Sequence, residues 1–346
     1  MSKEHEIFIE ASEDGSNIEN STNEQEIHFA IPVSYASRKA QTYMDYIYRN
    51  EDDDARKDLY DLMEQFFSQK QQSGDADDFH NFAVDLARRD EYALACDVLE
   101  CGLNLFPKNV DLLADYLQYG VSCNKLDECK KIYKTLIKIP RRRWTWRGFA
   151  FLVDYLQFLV DRSDSEKDID SKEKEMLSIV EDFRKIKPYS EEAYRTEADV
   201  YRRLNMHDKE AETLKTALDT IKVAPKCALR YADLLFERGL YDEASDAIQR
   251  AISDATQTQT SVNEGYIYYL SGLCKIAKSQ QNNSEFSLDE DSVKGIYSDF
   301  NIALTKFQSA NNSYVDVIRT KTITIINKTG IDVDPQFERL CEHVAY

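Results

Sequence analysis

Five histidines, at positions 5, 28, 80, 207 and 343, and seven cysteines carry the widest chemical repertoire in this 346-residue chain. A zinc site or a redox motif needs two such residues a few positions apart, and no C-x-x-C, H-E-x-x-H or comparable spacing occurs. The strained nucleophile turn G-x-S-x-G is absent, as are the glycine-rich phosphate loops G-x-x-x-x-G-K-[ST] and G-x-G-x-x-G. LDEDSVKG, residues 288 to 295, offers carboxylates at Asp289 and Asp291. It lacks the third oxygen ligand, the glycine and the late glutamate of a calcium loop, and reads as a plain loop. The sequence therefore predicts a non-catalytic protein with no cofactor and no metal, its cysteines buried as free thiols.

The chemistry that remains is recognition. PRRRWTWRGF, residues 140 to 149, gathers four arginines and both tryptophans of a chain whose formal net charge is −19. Arginine and aromatic side chains are the usual anchors of interfaces. A competing role is local: arginines 141 to 143 follow a proline, where they would cap a helix or pair with surface acids, and Trp144 would stack on one of them. The acidic excess, 63 Asp and Glu against 44 Lys and Arg, repels a phosphate backbone and weighs against nucleic acid as the partner. MSKEHEIFIEASEDG has no basic region followed by an apolar run, and no stretch of about 18 apolar residues occurs anywhere. The expectation is a soluble, cytoplasmic protein that makes no membrane contact.

The elements that must position this cluster are helical. With 10 Gly and 6 Pro there is little material for the turns of a many-stranded sheet, while Leu, Ala, Glu and Lys suit helices. Residues 1 to 30 carry eight acids against one lysine, too polar to offset the entropy of ordering, and are expected to be a disordered tail. Residues 31 to 75 hold two helical stretches, SYASRKAQTYMDYIYRN and DDARKDLYDLMEQFFSQK, with EDDD at 51 to 54 favouring the start of the second.

From about residue 76 the chain repeats itself. DADDFHNFAVDLARRDEYALACDVLECGLNLFP aligns with APKCALRYADLLFERGLYDEASDAIQRAISDA. Counted from Ala76 and Pro225, the pairs Phe79 and Ala228, Ala83 and Ala232, Leu86 and Leu235, Tyr92 and Tyr241, Ala95 and Ala244, Leu99 and Ile248, and Gly102 and Ala251 coincide. Large residues fill the space between helices, and small ones let helices approach. This pattern resembles the tetratricopeptide repeat, a helix-turn-helix unit of about 34 residues. Further units start near 110, near 143 and near 191; the last has about one extra residue at its turn. The unit near 143 is about 14 residues too long, the excess lying in DRSDSEKDIDSKEKE, and beyond 258 the helices form looser pairs. The resemblance implies an all-α, right-handed superhelical solenoid over residues 76 to 346, ending in a short helix QFERLCEHVAY.

The family most often places tryptophan at the fourth position of a repeat. With Trp146 there, Ala150 and Val153 fall on the eighth and eleventh positions, and Trp146 is expected to pack between helices. Trp144, Arg147, Phe151 and Asp154 then fall on groove-lining positions two, five, nine and twelve. Some chaperone adaptors of this family grip a C-terminal carboxylate with a five-residue clamp. Carried onto the units near 143, 191 and 225, the clamp positions hold Arg147, Phe151, Thr196, Lys226 and Arg230. Three cationic places match and both asparagines are missing, which departs from the chaperone-tail pattern. Arg195, Arg202 and Arg203 add charge nearby. The resemblance thus implies a scaffold or adaptor that takes a protein or peptide partner with an acidic or C-terminal carboxylate segment. An accessory subunit of a larger enzyme and an RNA-processing scaffold are the alternatives.

Overall fold

The computed structural model describes residues 31–50, 53–69, 72–258, 264–282, 288–306 and 313–331. The expected acidic tail and the expected last helix lie outside the described residues. Within them the chain forms fifteen α-helices and no strand. In order they are α1 (Val33–Asn50), α2 (Asp53–Ser68), α3 (Ala76–Ala87), α4 (Tyr92–Leu105), α5 (Val110–Ser122), α6 (Leu126–Leu136), α7 (Trp146–Asp161) and α8 (Glu166–Ile186). There follow α9 (Glu191–Arg203), α10 (His207–Thr220), α11 (Pro225–Glu237), α12 (Tyr241–Thr258), α13 (Glu264–Asn282), α14 (Glu290–Lys306) and α15 (Ser313–Thr329).

The hairpins are built to one plan. α3, α5, α9 and α11 each run twelve or thirteen residues and stop at a turn whose central residue is left-handed: Asp90, Asn124, Asn205 and Gly239, with φ of 60, 62, 56 and 74°. Each of these residues is the fifteenth of its unit. Aspartate, asparagine and glycine are the types that tolerate this region, because a larger side chain brings Cβ against the following carbonyl. The units beginning at Glu191 and Pro225 are 34 residues apart, as are those at Ala76 and Val110. The extra residue expected at the turn of the 191 unit is therefore not there; Asn205 sits where Asp90 and Asn124 sit.

Packing follows the small positions. Ala83, Ala95, Ala198, Ala232, Ala244 and Ala251 are fully buried where first and second helices cross. Gly102 of α4 lies so close to Phe79 that an added Cβ would meet its ring at 2.9 Å. One hydrophobic cluster runs from Val33 to Val200, so α1 and α2 share a core with the units that follow. Three further clusters hand over in sequence, through α9, α11 and α13, to α14 and α15. The excess residues of the α7–α8 hairpin lengthen α7 to 16 and α8 to 21 residues. The charged stretch forms the exposed start of α8, capped by the Ser165 hydroxyl, which accepts from the Asp168 N–H.

Candidate functional site: the cleft between α7, α9 and α11

The stretch PRRRWTWRGF changes structure in its middle. Pro140 leads into a 3-10 turn, Arg141–Arg143, and α7 starts only at Trp146. Thr145 is the N-cap, its hydroxyl accepting from the Gly148 N–H at 3.4 Å and donating to Asp111 Oδ1 at 2.5 Å. Trp144, just before the cap, packs on Phe149, four residues into the helix, with ring centroids 5.1 Å apart. This is a hydrophobic staple, which fixes the angle at which chain enters helix. Trp144 is 2% exposed, and its indole N–H donates to the Ile139 carbonyl at 3.0 Å. Gly148 makes the close approach to α5 possible, since a Cβ there would lie 2.6 Å from Val110 Cγ1.

The two tryptophans thus exchange the roles that the sequence reading gave them. Every other unit begins its first helix at position one; counted likewise, Trp146 is position one and Phe149 position four. Phe149, Val153 and Leu156 are buried as Phe79, Ala83 and Leu86 are in α3. The expected register was three residues early. Trp144 belongs to the core and cannot line a groove, whereas Trp146 is 40% exposed. The Arg147 guanidinium lies 4.9 Å from the centroid of the Trp146 ring, and Phe151 meets that ring edge-on at 5.9 Å. Of the arginines before the helix, Arg141 pairs with Asp182 at 2.6 Å and donates to the Ser178 carbonyl at 3.1 Å, fastening the turn to α8.

Trp146, Ala150 and Asp154 of α7 face Glu192, Arg195, Thr196, Asp199 and Arg203 of α9 and Lys226 of α11 across a cleft of about 310 Å³. Arg195, Thr196 and Lys226 are thereby brought together as expected from their unit positions. Arg147 and Phe151 pack on Trp146 at its edge. Arg202 and Arg230 lie deeper, on either side of Glu210.

The cations are matched by acids from the neighbouring first helix. Arg203 donates to Asp154 at 2.8 Å, Lys226 to Glu192 at 3.2 Å and Arg230 to Asp199 at 2.8 Å, while Arg195 holds the other Glu192 oxygen at 2.8 Å. The expected cationic clamp is therefore a charge-balanced ladder. These pairs are about a third exposed, and each contributes of order 0 to 1 kcal/mol. Glu210 differs. It is fully buried at the twentieth position, where other units place Ala95, Cys129 and Ala244, and Arg202 Nε donates to it at 2.7 Å. Arg230 Nε stands 3.9 Å and His207 Nδ1 3.5 Å from it. A carboxylate buried beside two arginines orients them toward the cleft, and removing it would leave them without a counter-charge.

A second polar pair was hidden in the sequence. His80 Nδ1 lies 2.5 Å from Asp115 Oδ2, with both residues buried between α3 and α5. Burial pushes the Asp115 carboxyl above the usual aspartate value, and His80 and Arg147 oppose that shift. Among the described residues no group of three or more His, Cys, Asp or Glu side chains comes together as a metal site would require. No described helix is long and apolar enough to cross a membrane.

No family model matches the sequence, and no curated protein matches it either. Solved structures do resemble it. A tetratricopeptide repeat protein of Thermus thermophilus is 21% identical, covering 52% of this chain and 92% of its own, with a TM-score of 0.42. One from Parabacteroides merdae is 12% identical over 89% and 98%, with a TM-score of 0.46. The C-terminal part of a repeat protein of Cytophaga hutchinsonii is 12% identical over 77% and 93%, with a TM-score of 0.48. The class itself rests on this chain's own 34-residue spacing, its left-handed turn residues and its buried small positions: it is a helical repeat protein of tetratricopeptide type.

Proposed function

We propose that the chain is a non-catalytic scaffold that takes an extended protein segment in the cleft between α7, α9 and α11. The observation that carries this reading is Trp146. A large indole left exposed in a helical core, held by Arg147 on its face and Phe151 at its edge, is a rigid apolar anchor of the kind interfaces use. The ladder around it supplies selection. An incoming carboxylate exchanges with Glu192 or Asp199 for Arg195, Lys226 and Arg230, and a segment without one leaves the internal pairs intact. The partner is accordingly a segment with an apolar or aromatic side chain for Trp146 and an acidic residue or C-terminal carboxylate beside it.

The test is selection from a random peptide library displayed with free carboxyl ends, followed by anisotropy titration of the enriched peptides and their amidated forms. Peptides should bind wild type and lose about tenfold or more on Trp146→Ala and on Lys226→Glu, the loss expected for one anchor or one charge pair of about 1.4 kcal/mol. Enriched peptides that bind both variants as well as wild type would place the working surface elsewhere.

A further inference from the structure

The buried and outer faces of α1 are two clean stripes. Val33, Ala36, Ala40, Met44 and Ile47 are buried against α2 and α3. Two residues out of phase, Tyr35, Arg38, Thr42, Tyr46 and Arg49 are exposed, with Lys39 beside them. The end face of a repeat array is ordinarily plain and polar, because it has no neighbour to cover it. Here it presents Tyr35 and Tyr46, each about half exposed, three helical turns apart, around a shallow hollow of about 500 Å³ lined by Arg38, Thr42, Tyr46 and Arg49. Its charge is also unlike that of the cleft. The acid on this side, Asp45, is taken by Arg89 of the α3–α4 turn at 2.5 Å, whereas Arg38, Lys39 and Arg49 have no carboxylate within ion-pair distance among the described residues. In a chain of net charge −19, three unmatched cations between two exposed tyrosines form a surface suited to an acidic, partly apolar strand.

The chain carries such a strand next to it. Glu6–Ile7–Phe8–Ile9–Glu10–Ala11–Ser12–Glu13–Asp14 sets four acids around three large apolar residues, and sixteen residues separate it from Ile31. Nine extended residues span roughly 30 Å, and α1 is about 27 Å long, so the segment matches the stripe in length. The connecting stretch is long enough to return along the helix, and tethering raises the local concentration to the millimolar range, about what a weak contact needs.

We propose that the outer face of α1 is an intramolecular docking surface for residues 6 to 14 of the same chain. The acids meet Arg38, Lys39 and Arg49, and Ile7, Phe8 and Ile9 lie against Tyr35 and Tyr46. This surface is separate from the cleft, and the proposal stands or falls independently of the cleft's ligand.

The experiment is carbodiimide coupling of the full chain at low micromolar concentration, in an equal mixture of 15N-labelled and unlabelled protein, read by mass spectrometry of the linked peptides. Lys39 is the amine on the stripe. It should couple to Glu6, Glu10, Glu13 or Asp14, with both peptides from the same isotopic chain. The yield should fall about fivefold in Arg38→Glu/Arg49→Glu, or in 0.5 M salt, where screening shortens the reach of surface charge to about 4 Å. Linked pairs of mixed isotope would make the stripe a contact between copies and overturn the proposal. So would a yield indifferent to charge reversal, or no coupling of Lys39 to this segment. As a second readout, Glu6→Gln/Glu10→Gln/Glu13→Gln/Asp14→Asn should raise the iodination rates of Tyr35 and Tyr46 about threefold; unchanged rates would count equally against docking.

Discussion

At the scale of single residues, Trp144 and Trp146 show how position outweighs type. Both are indoles two residues apart, yet one is a staple inside the core and the other an exposed platform. Trp144→Ala should cost about 3 to 5 kcal/mol in urea unfolding, as loss of a buried aromatic does, while Trp146→Ala should stay within about 0.5 kcal/mol of wild type. The distinction was present in W-T-W-R-G-F: a threonine cap preceded by one aromatic and followed four residues later by another spells a helix start at Trp146. Frequency of tryptophan at a repeat position pulled the reading three residues away, because the local cap was weighed less than the family pattern. Glu210 and the His80–Asp115 pair had no such signal, since their meaning depends on which helices cross. Asp115 also sets a pH dependence. Its folded-state pKa is raised, so its contribution is favourable while it holds its proton and is lost as pH rises through that value. Asp115→Asn should therefore gain on wild type in thermal stability as pH is raised from about 4 toward 7, where the aspartate ionises. A difference that stays flat would show that His80 fully compensates the charge.

At the scale of elements, the repeat is punctuated by one backbone conformation. Asp90, Asn124, Asn205 and Gly239 recur at the same place in four units, and helix length follows from where each of them falls. Asn205→Gly should leave stability unchanged or raise it slightly, while Asn205→Val should lower it by about 1 to 2 kcal/mol, the cost of a β-branched residue in the left-handed region. Chemical denaturation of the two variants measures this directly. The α7–α8 hairpin lacks the turn residue, and its helices run on. That was legible as surplus charged residues, although their form as a helix extension followed only from the Ser165 cap and the apolar stripe Met176, Ile179, Val180 and Phe183 that docks α8.

At the scale of the whole molecule, the four overlapping clusters make the array a relay of neighbours without a single centre. A defect should then stay local: in amide exchange, Trp144→Ala should lower protection in α5 to α9 and leave α13 and α14 unchanged, since these belong to clusters that Trp144 does not touch. Loss of protection throughout would mean that the clusters unfold as one. The same arrangement explains why an acidic chain can carry a cationic and aromatic patch. Each basic side chain in the cleft is answered by an acid on the adjacent helix, while the net negative charge is spread over the remaining surface. The burial of Trp144 has one more consequence. The chain has only two tryptophans, one sealed from solvent and one at the mouth of the cleft, so its native emission divides into a blue, iodide-resistant part and a red, quenchable part. The first reports on folding and the second on occupancy, and the protein needs no added dye to tell an emptied cleft from an unfolding core.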